Sequence, residues 1–179
     1  MLVKIVQVDK NDKYLGLIDK NKAHENRGIL HRAICVFVVN NKKEILLQKR
    51  SKYKKLWPLY WSNTCCSHPK KGEAYVEAGE RRLKEELGFS CQLKPLFKIY
   101  YQAKYKSIGA EKEISMILLG QYKNQKIKPN EKEIADLSWM SLAKVRAQIK
   151  TKPNKFTPWF KKIIKDKKYA ENMRKICGK

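Results

Sequence analysis

An α/β fold of the α+β kind, with a mixed β-sheet lying between helices, follows from three features of the 179-residue chain. A β-rich apolar run is followed by a turn and a returning strand. A long, charged amphipathic helix comes next. Further strands and two helical patterns close the sequence. The length suits one hydrophobic core, so a single domain over residues 1–179 is expected.

The elements follow in order. LVKIVQV (2–8) alternates and predicts an edge strand, and AICVFVV (33–39) predicts a buried one. NNKK (40–43) is a turn from which EILLQKR (44–50) returns, so these two strands are expected to form a hairpin. KKLWPLYWSNTCCSHP is irregular, punctuated by Pro58 and Pro69. GEAYVEAGERRLKEELGF (72–89) is a helix with Val76, Leu83 and Leu87 on one face and Gly88 as its stop. Gly79 inside it costs about 1 kcal/mol relative to Ala, which implies either a close neighbour at that point or a helix held by its packing. Strands are expected over 96–105, 112–122 and 137–140, and helices over 141–149 and 158–173.

The formal charge is +24, and from Lys144 to Lys179 there are 13 Lys and Arg against two acids. Nucleic acid is the obvious partner for such a balance. Zinc-finger ligands and RNP-like aromatics are absent, however, and a lysine-rich solvated surface accounts for the charge. Nucleic acid is therefore not the expected partner, and a polyanionic small molecule would also use this charge. The longest apolar run is too short to span a membrane. The first residues lack a signal-peptide core, and the five cysteines (Cys35, Cys65, Cys66, Cys91, Cys177) show no framework spacing. A reduced, cytoplasmic monomer is expected.

Three constellations carry chemistry. The chain's three histidines are His24, His31 and His68; each alone reads as an ordinary structural or surface residue. Glu111 and Glu113, two apart on an expected strand, face the same way and repel; either a cation lies between them or they belong, with Lys112, to a solvated edge strand. Three imidazoles and two carboxylates form an N/O set suited to a six-coordinate divalent ion rather than to tetrahedral structural zinc. On the helix, Arg82 and Glu86 share a face, where carboxylates either pair with cations or hold Mg²⁺ through oxygen. In WSNTCCSHP, adjacent Cys65 and Cys66 point to opposite sides of an extended segment, so only one can face a cavity.

The helix segment resembles a Nudix box, G-x5-E-x7-R-E-U-x-E-E-x-G-U. Phe89, Gly88, Glu86, Glu85, Leu83, Arg81 and Glu73 match it, while Ser67 and Arg82 depart from it. Arg82 stands where hydrolases carry a glutamate. KNKAHENRGILHRA, QKRSKYKKLWPLYWSNTCCSHP, the AEKEI strand and KFTPWF are together very similar to the type 1 isopentenyl-diphosphate Δ-isomerases, over roughly residues 4 to 170. The resemblance implies a Nudix-type α/β/α sandwich and the isomerisation of isopentenyl diphosphate to dimethylallyl diphosphate. It implies Cys66 and Glu113 as catalytic residues with Tyr101 beside them. His24, His31, His68, Glu111 and Glu113 would hold one divalent metal (Mn²⁺, Mg²⁺ or Zn²⁺). Glu86 would hold a Mg²⁺ bound to the substrate's diphosphate, with Lys20, Arg50, Lys54 and Arg82 around it and Trp159 over the hydrocarbon end. A Nudix diphosphate hydrolase and a basic RNA-binding module are the alternatives; the first explains only the helix, the second only the charge.

Overall fold

β3 (His31–Val39) is the axis of the molecule, and it alternates between two layers of core. The computed structural model describes residues 3–177. Ile34, Val36 and Val38 point to one side, where they pack with Ala78, Leu83 and Leu87 of helix α2 (Tyr75–Leu87). Cys35, Phe37 and Val39 point to the other, among residues of helices α3 (Leu142–Thr151), α4 (Pro158–Lys165) and α5 (Lys167–Cys177). A strand covered on both faces reads as a continuous apolar run, as this one does. The result is the expected α/β/α sandwich.

The sheet is mixed. β3 runs parallel to β8 (Gly109–Gln121), from His31 opposite Glu113 to Val39 opposite Gln121. β8 forms a long antiparallel hairpin with β7 (Leu93–Tyr105). β1 (Lys4–Val8) is not an edge: it lies between β2 (Tyr14–Asp19) and β3. The four-residue helix α1 (Lys20–Ala23) follows β2, its first amides capped by Asp19.

The expected hairpin of residues 33–39 and 44–50 closes only at its neck. β3 and β4 (Glu44–Arg50) pair at Val39–Ile45 and then diverge. β4 pairs instead with β9 (Ile134–Ser141) and with the two-residue β5 (Trp61–Ser62). The opened side of β3 is taken by β6 (Cys65–Ser67). A buried threonine fills the fork: Val38 N donates to Thr64 Oγ1 at 2.9 Å, and that hydroxyl donates to Leu46 O at 2.6 Å. Two backbone groups that a ladder would have joined are satisfied by one side chain. Asn63 Nδ2 adds bonds to Val36 O and Cys65 O.

Gly79 meets the predicted close neighbour. A Cβ there would stand 2.5 Å from Leu93 Cδ1 and 2.6 Å from Leu118 Cδ1, so α2 lies close enough to the sheet that any larger residue would have to displace those two leucines. Gly88 ends the helix in the left-handed conformation at φ 74°. The helix expected over 158–173 is two helices. Asp166 turns extended (ψ 132°) after α4, and its carboxylate accepts from Lys168 N at 2.8 Å, starting α5. A side chain that caps a new helix competes with continuing the old one.

Candidate active site

The ligand-type atoms of His24, His31, His68, Glu111 and Glu113 lie within 4.8 Å of one another. His24 sits just past α1, His31 opens β3, His68 follows β6, and the two glutamates lie on β8. The parallel pairing of β3 and β8 sets His31 directly beside Glu113. His24 Nδ1 bonds Lys20 O at 2.6 Å, and His31 Nδ1 bonds Ile29 O at 2.7 Å. Each ring nitrogen facing a carbonyl must carry the proton, which turns both Nε2 atoms inward. His24 Nε2 then stands 2.8 Å from Glu111 Oε2, a buried oxygen with no hydrogen bond. Only a proton or a cation between those two atoms makes that distance favourable.

The same demand recurs beside it. His68 Nε2 is 3.2 Å from His31 Nε2, and both are 3.4 Å from Glu113 Oε1. One proton on His68 cannot satisfy both neighbours. Burial pushes His68 down to about 3, leaving it neutral and able to ligate. Burial would push the Glu113 carboxyl up, but the His31 and His68 imidazoles hold it well below the usual carboxylate range. Burial likewise opposes charge on His24, and contact with Glu111 outweighs it and raises the ring. Three nitrogens and two carboxylates drawn this close fit a divalent metal ion.

Cys65 and Cys66 face opposite sides of the sheet. Cys65 is buried in the α2 layer, and burial pushes its thiol up. Cys66 packs against the other layer and lines a cavity of about 410 Å³. Its Sγ lies 3.0 Å from Asn63 Oδ1 and 3.5 Å from Cys35 Sγ. Glu113, Tyr101 and Trp159 line the same cavity. The Tyr101 hydroxyl donates to Glu113 Oε2, and Ser115 Oγ donates to the same oxygen at 2.9 Å. Burial pushes the Tyr101 hydroxyl well up, with the Glu113 charge adding to it. Trp159 is fixed by its Nε1 bond to Ser62 Oγ at 2.9 Å, and its ring lies 5.3 Å from the Arg50 guanidinium carbon.

A cationic end completes the cavity, with Lys20, Arg50 and Lys54 in its wall. Arg50 is held by the carbonyls of Leu56 and Trp57, in a loop where Trp57 and Leu59 both have positive φ around Pro58. Arg82 pairs with Glu86 and Glu85 on α2, and its Nη2 also lies 3.3 Å from Glu133 Oε1. Lys54 pairs with the other oxygen of Glu133. Burial, with Arg50, Lys20 and Arg82 close by, pushes the Lys54 ammonium down to about 8; Lys20 is pushed down as well, first by burial and then by Arg82. Arg82 and Glu86 do not themselves line the cavity.

Comparison with known proteins places this geometry. A NUDIX domain model matches residues 29–160. An isopentenyl-diphosphate Delta-isomerase of Halorhodospira halophila is 38% identical over 168 residues, 93% of this chain and 96% of its own. An isopentenyl-diphosphate Delta-isomerase 2 of Photorhabdus laumondii is 40% identical over 167 residues, 93% of each. The chain belongs to the isopentenyl-diphosphate Delta-isomerase family. Among solved structures, a Deinococcus radiodurans protein superposes with a TM-score of 0.70 at 18% identity, covering 99% of this chain and 100% of its own. A MutT protein of Methanosarcina mazei gives 0.64 at 19% identity, covering 84% and 96%. At that identity they show the shared fold alone. Around this cavity, the sequence did not point to Asn63 and Ser115, which touch the Cys66 sulfur and the Glu113 carboxylate, or to Glu133, which engages Lys54 and Arg82. Asn63 stood in the quoted loop; Glu133 was one acid in NEKEI, with no periodic signal.

Proposed function

We propose that this cavity moves a carbon–carbon double bond, converting isopentenyl diphosphate to dimethylallyl diphosphate with Cys66 and Glu113 exchanging the protons. The observation that carries the reading is their shared cavity. Cys66 comes from β6 and Glu113 from β8, on the two sides of β3. Two strand spacings, about 10 Å, separate their backbones across the sheet, and four residues of β3, about 13 Å, separate them along it; both side chains reach into the cavity, which leaves room for a flat five-carbon skeleton between a thiol and a carboxyl. One group gives a proton to the terminal alkene carbon, and the other takes one from the carbon on the far side of the cation so formed. Which acts first is a matter of their protonation before substrate enters.

The remaining residues serve that exchange. The Trp159 ring, locked by Ser62, presents a π face to positive charge in a site walled by Leu56 and Tyr101. Exclusion of water keeps the carbocation from capture as an alcohol. Tyr101 and Ser115 fix the Glu113 oxygen that faces away from His31 and His68. Lys20, Arg50 and Lys54 receive the diphosphate, with Arg82 behind them sharing Glu133 with Lys54; the diphosphate anchors the molecule through its non-reacting end. His24, His31, His68, Glu111 and Glu113 would hold a first-row divalent ion such as Mn²⁺, and Glu86 a Mg²⁺ shared with the diphosphate; the first supplies positive charge that tunes the proton affinity of Glu113. Arg82 in place of a hydrolase glutamate fits an enzyme that keeps its diphosphate intact.

Turnover of isopentenyl diphosphate in D₂O, followed by NMR, tests the reading. Deuterium should enter the methyl group of dimethylallyl diphosphate. Release of inorganic phosphate without isomerisation would replace it with hydrolysis.

A further inference from the structure

We infer that Cys35 and Cys66 form a reversible disulfide when the enzyme meets a peroxide, and that this bond shuts the active site. The inference rests on Cys66 being the thiol that serves the substrate. Cys35 on β3 lies directly opposite Cys66 on antiparallel β6, and their sulfurs are 3.5 Å apart. Directly opposed residues of an antiparallel pair have Cα atoms about 4.5–5.5 Å apart, inside the roughly 4.4–6.8 Å that a disulfide spans. The sulfurs need to close by about 1.5 Å to reach bonding distance, which side-chain rotation supplies.

Access divides the roles. Cys66 lines the cavity, so a small oxidant reaches it; Cys35 is 1% exposed and is reached only by Cys66. Peroxide oxygen inserts at the Cys66 sulfur, giving a sulfenic acid and one water. The Cys35 sulfur then attacks the Cys66 sulfur: the S–S bond forms, the S–O bond breaks, and hydroxide leaves with the Cys35 proton as a second water. Two thiols are oxidised and one peroxide is reduced, so the step balances. Cys65 is no competitor as resolving thiol, because its side chain lies on the other face of the sheet among Ile34, Val36 and Leu83. Cys91, the other free cysteine among those described, lies at a separate cavity beside Gln92 and Lys94. The disulfide removes the transferable proton of Cys66 and turns its sulfur toward β3. It also protects, since a sulfenic acid without a resolving partner proceeds to irreversible sulfinic acid.

The test is a graded hydrogen peroxide titration of the metal-loaded enzyme, with activity, intact mass and peptide mapping followed together. Wild type should lose activity at least tenfold as it loses about 2 Da, yield a peptide joining Cys35 to Cys66, and recover with dithiothreitol. Cys35→Ser should start with near-normal activity. It should gain about 32 Da at Cys66 under the same dose and fail to recover. Cys35→Ala serves if the serine variant folds poorly, and Cys65→Ala should still cross-link. Wild type inactivated without a Cys35–Cys66 peptide, or Cys35→Ser recovering like wild type, overturns the inference. Cross-linking with undiminished turnover overturns the shutdown and traces the fault to the role given to Cys66, which Cys66→Ala checks separately.

Discussion

His24 Nε2 and Glu111 Oε2 stand 2.8 Å apart while the other nitrogen of that ring is bonded to the Lys20 carbonyl. A pair held this way is stable only around a positive charge, so the cluster should take up a divalent ion avidly. A site loaded at a thousand times its dissociation constant gains about 4 kcal/mol of stability, or about 10 °C in a chain of this size. Chelation should lower the melting temperature by that order, and His68→Ala should abolish both the metal content and the chelator response. Metal content equal to wild type in the variant would remove the cluster from consideration as a metal centre.

The thiols separate cleanly by mutation. Cys66→Ala should reduce turnover of isopentenyl diphosphate by several orders of magnitude at unchanged folding. Cys65→Ala should retain most activity and lose about 1 kcal/mol of stability, the usual size for a small buried truncation. Activity assays at equal folded concentration decide it; the reverse pattern would put the catalytic face on the α2 side of the sheet.

Diphosphate affinity should depend on pH through Lys54. Its ammonium, pushed down to about 8, is charged below that pH and neutral above it. A bound polyanion favours the charged form, so affinity is full below pH 8 and falls as pH rises through it, by up to about tenfold per unit for one proton. The dissociation constant of a non-reactive diphosphate analogue, measured from pH 7.5 to 9.5, should rise in wild type. It should rise much less in Lys54→Arg, which stays charged. Equal slopes in the two proteins would exclude Lys54 as the titrating cation. Arg82→Ala and Glu86→Gln should weaken the same analogue at every pH.

Thr64→Val keeps the shape of the fork and removes its hydroxyl. Val38 N and Leu46 O are then left buried without that partner, a loss of about 2 kcal/mol. Urea unfolding should show this as a lower midpoint with an unchanged slope. A midpoint equal to wild type would mean that water replaces the hydroxyl.

Much of the molecule was legible because its signals are local. Gly79 pointed to a close contact, Gly88 to a helix end, and the unbroken apolar run of residues 33–39 to a buried strand. The His/Glu grouping was legible because all three histidines of the chain and a same-face glutamate pair stood out in the sequence, and the structure brings them together. What stayed hidden depends on distant partners. The pairing of β3 with β8 joins segments some eighty residues apart, and nothing in either strand names the other. The hairpin rule misled because it weighs the turn and not the loop that later enters the fork. Asp166 fell inside the single helix expected over 158–173, because its capping bond to Lys168 N exists only once the chain has turned. Glu133 gains meaning only where Lys54 and Arg82 converge on it.

The hydroxyl in the fork settles a matter of parity. Side chains along an extended segment alternate with a period of two, so a slip of one residue exchanges every inward group for an outward one. In this loop the slip would present Cys65 to the cavity and bury Cys66, with composition, charge and nearly all apolar area unchanged. Hydrophobic forces alone scarcely distinguish the two alignments. The bond that Thr64 receives from Val38 N and the one it gives to Leu46 O do, because they are met together in one alignment only. The choice between two chemically identical thiols is thus made by a neighbour that lines neither the cavity nor the His/Glu cluster.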